Sequence, residues 1–343
     1  MANINVGQAA SVAFDHMMRI LFRPFVFKKW LAFGFVSMLA FGGGGGNFRA
    51  PGNLGDTGTQ AQPDYAEIMR WLGEYWPLIA LGMLIILGIA ILFTWLSSVF
   101  NFIYVDDITK NSGAIREPFA RLKHLGMSYF LWQLAFGLIG LLAMFVLIAL
   151  PLLWAFVFSG GAGAGAKVIS VAWAIIAGLP LFIFLIVAQI FARDFVVPAM
   201  YVRNIGVLEG WRVVWPIIRS NAGQMALYVL MLIAISILIG MVAILVVLVG
   251  LIPLFIIGGI FFALGYIIWQ AAGPSAHVIL IVLGSIIGFA LLIAWSYAVN
   301  CAIQPAMVFR RAFSLVVLGQ AEPSLSTLPV TMPTPPPVQG GMP

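Results

Sequence analysis

Charged residues are so sparse along this chain that the intervals between them mark out its elements. Uncharged runs cover residues 30–48, 75–105, 125–166, 168–192 and 220–309, with lengths of 19, 31, 42, 25 and 90 residues. A bilayer-crossing helix needs about 20 mostly apolar residues, because the hydrocarbon core is ~30 Å thick and each residue advances ~1.5 Å. The first, second and fourth runs therefore hold one spanning helix each. The third also holds one, since Ser159-Gly-Gly-Ala-Gly-Ala-Gly165 offers no packed helix and reads as an exposed turn before Lys167. The last run has room for two, three or four.

Basic residues on short loops set orientation, because their translocation is disfavoured. Arg19, Arg23, Lys28 and Lys29 precede the first span, which places the N-terminus inside. The loops at 105–124 and 193–219 then fall inside as well, and only Arg49, Arg70 and Lys167 fall outside. If the last run makes an even number of crossings, Arg310 and Arg311 join the inside set and the balance is 14 against 3; an odd number gives 12 against 5. Six spans with both termini cytoplasmic are expected, with the last two helices near 222–250 and 276–308. The stretch 251–273, interrupted by Pro253, Gly258-Gly259 and Gly273-Pro274, is expected to be re-entrant or interfacial, and a seventh span there is the alternative. A signal peptide would need an n-region of about 29 residues, longer than such regions run, so the first span is expected to be retained.

Internal similarity supports the same count. Pro198-Ala-Met-Tyr-Val-Arg203 recurs as Pro305-Ala-Met-Val-Phe-Arg310, each at the inner end of a long apolar run. Acidic residues Asp15, Glu117 and Glu209 each precede a new span by about 15 residues and are themselves 102 and 92 apart. The expected fold class is therefore all-α: a polytopic helical membrane protein of about six transmembrane helices, arranged as three parallel repeats of an interfacial helix plus two spans. The repeats cover about 5–104, 105–203 and 204–311, inside a membrane domain of 1–318. Parallel repeats of this kind occur in transporters; the competing reading is chance likeness among apolar helices, which share a small alphabet.

In residues 5–23, Ser11, Asp15, Arg19 and Arg23 form a polar stripe at steps of four, which predicts a helix in the headgroup plane with Asp15 and Arg19 placed to pair. Glu117 and Arg121 repeat the spacing of four, and Glu209 and Arg212 stand at three, with Pro216 ending or kinking that helix. Adjacent Arg193-Asp194 close the fourth span. Such residues serve either as boundary anchors or as contacts to an anionic headgroup. Arg19, Arg121, Arg193, Asp194, Arg212 and Arg219 are the candidate contacts to a headgroup or partner.

Composition agrees with the pattern: 63% of the 343 residues are hydrophobic and 8% charged, where a soluble chain carries roughly 25% charged residues. Outside, 42–74 is Gly-rich and turns helical at Asp64-Tyr-Ala-Glu67, a capping-box-like start, followed by interfacial aromatics Trp71, Tyr75 and Trp76. Residues 319–343 are expected to form a disordered Pro-rich cytoplasmic tail, with seven prolines from Pro323 on and a PxxP at Pro333-Thr-Pro-Pro336.

Candidate chemistry is thin. Three His (16, 124, 277) and the single Cys301 make no HxxxH or CxxC, and no Walker loop, GxSxG elbow or paired carboxylates stand out. No enzyme, metal or cofactor is expected. No ionisable residue falls mid-span, where ion-coupled transport would need one. Gly284 and Gly288 form a GxxxG, a mark of close helix contact.

The segments Arg193-Asp-Phe-Val-Val-Pro-Ala-Met-Tyr201, Leu208-Glu-Gly-Trp-Arg212 and Gln304-Pro-Ala-Met-Val-Phe-Arg-Arg-Ala-Phe-Ser-Leu315 resemble a broad group of uncharacterised bacterial multi-pass proteins. These look similar to the membrane domain attached to some glycerophosphoryl diester phosphodiesterases. The resemblance spans most of 5–320 and implies a bacterial cytoplasmic-membrane location, but no catalytic residue. The soluble phosphodiesterase barrel has no counterpart in this chain. The expected function is a non-enzymatic scaffold or regulator of an envelope or lipid-linked process, the alternative a transporter or flippase for a lipid or amphipathic solute. Membrane lipids are the expected partners, a membrane protein is a second candidate, and nucleic acid is not expected.

Overall fold

The computed structural model describes residues 4–42, 65–158, 163–271 and 274–328. Much of the outer loop, the start of the 159–165 glycine run and the tail from 329 lie outside these residues. Among those described, all regular structure is helical. The order is α1 (Val6–Leu21), α2 (Phe27–Gly42), α3 (Tyr65–Lys110), α4 (Arg116–Met144), α5 (Leu150–Leu153), α6 (Ala164–Phe191), α7 (Val197–Arg203), α8 (Val207–Ser220), α9 (Ala222–Ala271), α10 (Pro274–Ala302) and α11 (Gln304–Ala321). Five stretches are long and apolar enough to cross a membrane: Gly73–Lys110, Arg116–Val157, Ala164–Arg203, Ala222–Gln270 and Ile279–Ala302. The first expected span corresponds to α2, of which 16 residues, about 24 Å of helix, are described.

Prolines, rather than loops, shape the long helices. Pro151 has no N–H to offer the carbonyl of Leu147, and the indole Nε1 of Trp173 on α6 donates to that oxygen instead at 3.1 Å. The chain around Pro151 answers with two π turns, Phe145–Ala149 and Trp154–Phe158. Pro198 likewise follows a π turn, Ala192–Val196, in which Val197 N–H reaches back to the carbonyl of Ala192. An extra residue per turn re-aims the side chains it carries, and Arg193 and Asp194 lie in this turn.

Several expectations need correction. The stretch 251–273 is not a separate re-entrant segment: through Ala271 it continues α9, a single 50-residue helix with Pro253 inside it. One proline costs one backbone bond, whereas leaving the helix in an apolar setting would orphan several. The 105–124 loop is mostly helical, since α3 runs to Lys110 and α4 starts at Arg116 and continues straight into its span. The second unit therefore lacks the separate short helix that α1 and α8 provide for the first and third. Pro216 lies inside α8, which continues to Ser220. Helix α6 begins at Ala164, within the run read as a turn.

Packing continues past the expected boundary at 318. Leu318, Gly319, Gln320 and Ala321 are buried, as are Leu325 and Leu328 beyond the helix. Gln320 Oε1 accepts from the backbone N–H of Asn5 at 3.0 Å, and Ser324 accepts from Arg203 at 3.0 Å. The two ends of the described chain thus meet on α11, which packs against α1, a helix that buries Val6, Ala9, Ala13, Met17 and Ile20 among its residues.

The core sits at one end of the bundle. Buried residues concentrate in 97–108, 122–130, 191–200, 225–235 and 304–328, while no residue is buried in 73–96 or in 236–270. At that end the start of α2, the end of α3, the start of α4, the end of α6, the start of α9 and the end of α10 are joined by side-chain bonds. Trp30 Nε1 donates to the Cys301 carbonyl at 2.9 Å, and Tyr297 donates to the Leu31 carbonyl at 2.8 Å. The GxxxG at Gly284 and Gly288 faces open space among the described residues, contrary to its expected role. Close approach occurs elsewhere: a Cβ on Gly126 would stand 2.8 Å from Val99 Cα, where α4 crosses α3.

Candidate functional site

Two carboxylates organise the basic end of the bundle, each by drawing cations from several helices. Asp106, in the last turns of α3, is almost fully buried. Its Oδ1 accepts from Lys110 at 2.9 Å, Arg121 of α4 at 2.6 Å and the Tyr201 hydroxyl of α7 at 2.5 Å. Next to it Asp107 turns the other way, accepting from Ser112 at 3.1 Å and closing the α3–α4 turn. Lys29 spans that turn from α2, donating to the Ile20 carbonyl at 3.0 Å and to Asn111 Oδ1. Burial pulls the Lys29 ammonium below its ordinary value, against the opposing pull of Asp107.

Asp194 is the second hub. Its side chain is 4% exposed and lies within 4 Å of three guanidinium groups: Arg193 at 3.3 Å, Arg311 at 3.7 Å and Arg310 at 3.9 Å. The Tyr228 hydroxyl of α9 donates to its Oδ2 at 3.2 Å. Arg311, 2% exposed, is held further by donation to the Arg193 carbonyl at 2.6 Å and to the Asn101 carbonyl at 3.4 Å, so α3, α6, α9 and α11 meet on one charge cluster. Burial lowers the Arg310 and Arg311 guanidiniums from their ordinary value, and Asp194 offsets part of that. Both stay charged, since no accessible pH removes an arginine proton. Three positive charges against one carboxylate leave an excess of two.

That excess lies behind a groove of about 730 Å³ between α2, α3, α4 and α6. Its floor carries Arg193, Asn101, Ser97, Gln133, Gln189 and Tyr129. Further along the helices its walls become apolar, with Phe136, Leu141 and Met144 on α4 and Phe182, Leu185 and Ile186 on α6. Arg193 is 27% exposed, and its guanidinium lies 5.5 Å from the Phe41 ring centroid. Asn101 Nδ2 donates to the carbonyls of Ala40 at 3.0 Å and Ser97 at 2.9 Å, while its buried Oδ1 has no partner among the described residues.

The structure divides the six expected contact residues. Arg193 and Asp194 join the buried cluster, and Arg121 joins the Asp106 hub rather than pairing with Glu117. Arg19 pairs with Asp15 on the exposed face of α1, as their spacing predicts. Arg212 and Arg219 are exposed on α8, and no ion pair joins them among the described residues. Sequence reasoning missed Asp106, Arg311, Tyr228 and Asn101. Arg310-Arg311 beside the repeated Pro305 motif was the available signal: both copies of that motif open a helix with proline in its first turn, and both abut the Asp194 cluster. Among the described residues no group of three His, Cys, Asp or Glu is placed to hold a metal ion.

Over residues 5–328 the chain matches a Family of unknown function (DUF7544). The chain belongs to this family. The DUF7544 match ends at Leu328, which is buried in the segment that follows α11. No curated protein and no solved structure matches the chain. The likeness to the membrane domain of glycerophosphoryl diester phosphodiesterases therefore has no counterpart among these matches.

Proposed function

We propose that this DUF7544 member is a non-enzymatic integral membrane protein that scaffolds or regulates a lipid-linked envelope process, with both termini on the cytoplasmic side. One observation carries the reading: the 50 residues of α9 make about 75 Å of helix, more than twice a ~30 Å hydrocarbon core. Full burial is confined to its first turns, at Met225, Tyr228, Leu232 and Ile235, although α10 touches it further along at Gly250. The uncharged remainder exposes Phe255, Phe262 and Ile267 by more than half their surface. Lipid alone does not cover that length in an upright orientation, and an apolar protein partner would. The buried charge clusters then serve as a rigid base for the α9–α10 hairpin. A photo-crosslinker at Phe262 in native membranes is expected to capture a protein, and recovery of lipid adducts alone would count against the scaffold.

The groove favours a second reading, a transporter or flippase for an amphipathic solute. Reconstituted vesicles tested across lipid and amphiphile classes would show movement of one class over empty vesicles; uniform inactivity would remove this reading.

A further inference from the structure

We propose that the groove between α2, α3, α4 and α6 is a binding site for one anionic glycerophospholipid, with Arg193 as its phosphate-pairing group. The proposal goes beyond the scaffold reading and stands whether or not α9 has a protein partner.

Charge is the first argument. Asp194 neutralises one of the three arginines around it, and of those three Arg193 alone lines the groove. Its Nε is committed to Asp194, and no hydrogen bond joins its Nη1 and Nη2 among the described residues. Phe41 packs against the guanidinium. A phosphodiester oxygen suits that vacant edge, because a guanidinium pairs with phosphate through two parallel N–H donors.

An unpaired acceptor is the second. Asn101 is 3% exposed and lines the groove, yet its Oδ1 lacks a donor. A buried acceptor left unpaired costs about 1–3 kcal/mol. A hydroxyl-bearing headgroup such as glycerol brings donors beside its phosphodiester, whereas a choline headgroup brings none.

The grading of the walls is the third, and it separates a lipid from a free anion. On α4 the lining residues Gln133, Phe136, Gly140 and Met144 recur at steps of three and four, and on α6 the line from Arg193 to Gln189, Ile186 and Phe182 does the same. Each helix thus presents one stripe that is polar at the floor and apolar two turns away. An anion would use the floor only. A lipid uses both, with the chain leaving along Phe182 and Met144. A volume of about 730 Å³ suits a headgroup with the upper part of a chain and far exceeds a single ion.

The test uses the full chain in a non-ionic detergent, with native mass spectrometry counting bound molecules. Dioctanoyl phosphatidylglycerol, dioctanoyl phosphatidylcholine and inorganic phosphate are titrated separately. One phosphatidylglycerol is expected to bind at least about tenfold more tightly than phosphatidylcholine, whose phosphodiester can also reach Arg193 but whose trimethylammonium cancels the lipid's charge beside the cluster's excess of two and carries no hydroxyl donor. Arg193→Gln should weaken binding of both lipids and shrink that preference. Gly137 lines the groove with nothing within 4 Å of an added Cβ, so Gly137→Leu should fill the groove without disturbing the charge cluster and weaken phosphatidylglycerol binding. Gly284→Leu, on open surface away from the groove, should bind as the parent does. Equal affinity for the two lipids would overturn the proposal, and so would phosphate binding as tightly as phosphatidylglycerol. If Arg193→Gln does not fold, Gly137→Leu decides alone: unchanged phosphatidylglycerol binding in that variant would overturn the site.

Discussion

Helix α9 is held in two different ways along its own length. Its first turns bury Met225, Tyr228, Leu232 and Ile235 at steps of three and four, and Tyr228 reaches the Asp194 cluster. From 236 to 270 the same helix buries no residue fully, although it is just as apolar. Helix α3 repeats the contrast, uncovered over 73–96 and then buried through Asn101, Tyr104, Asp106 and Ile108. Apolarity does not decide which stretch packs. Apolar side chains gain little from leaving lipid for one another, so helix association in a bilayer depends on close packing and polar contacts. The packed end has both in number, whereas the bare length of α9 meets α10 only at isolated points such as Gly250 against Trp295 and the Trp269 carbonyl beside His277 at 3.1 Å.

The largest effect should follow from emptying the charge cluster. Asp194→Ala leaves Arg311 buried without its counter-charge, and removal of one partner from a buried ion pair costs about 3–5 kcal/mol. Thermal unfolding in detergent should show a large fall in Tm. A second substitution probes packing at the same end. Gly126→Leu puts side-chain atoms where Val99 already stands and should cost about 1–3 kcal/mol, as overpacking does.

A smaller effect depends on pH. His16 on α1 lies against the Ile108 carbonyl at 3.2 Å, and burial lowers its pKa from the ordinary 6.5. Below about pH 6.5 the unfolded chain gains a proton that the folded chain does not, so stability falls with acid until the folded-state value is reached. Tm should drop between neutral and mildly acidic pH, and His16→Gln should flatten that part of the drop. Smallest of all is the bare region. Gly284→Leu and Gly288→Leu should each stay within about 0.5 kcal/mol of the parent, since neither glycine meets a neighbour. A loss comparable to that of Gly126→Leu would show that the GxxxG pair contacts a second chain.

How much the sequence discloses follows the same division. Spacing of charges located most of the helices, because an uncharged run of sufficient length has few alternatives in a membrane. Asp15 and Arg19 were legible as a pair, since both lie on one turn of one helix. The Asp194 cluster was not. Its partners lie 34, 116 and 117 positions away, at Tyr228, Arg310 and Arg311, and each alone looks like an ordinary boundary residue. The continuation of α9 past Pro253 was missed for the opposite reason. Proline and paired glycines read as breaks in water, where backbone groups freed by unwinding are solvated. In an apolar surround they are not, and the helix persists.

The central claim is that one buried charge cluster holds α3, α6, α9 and α11 together. A double-mutant cycle on Asp194 and Arg311 tests it most directly, with Tm and denaturant midpoints measured for the parent, Asp194→Ala, Arg311→Met and the pair. Each single substitution should destabilise strongly. In the double variant, Arg311→Met should recover most of the loss caused by Asp194→Ala, because it removes the charge that was left unpaired, and the coupling should exceed about 1 kcal/mol. Losses that simply add would mean that Asp194 and Arg311 act independently, and would contradict the account.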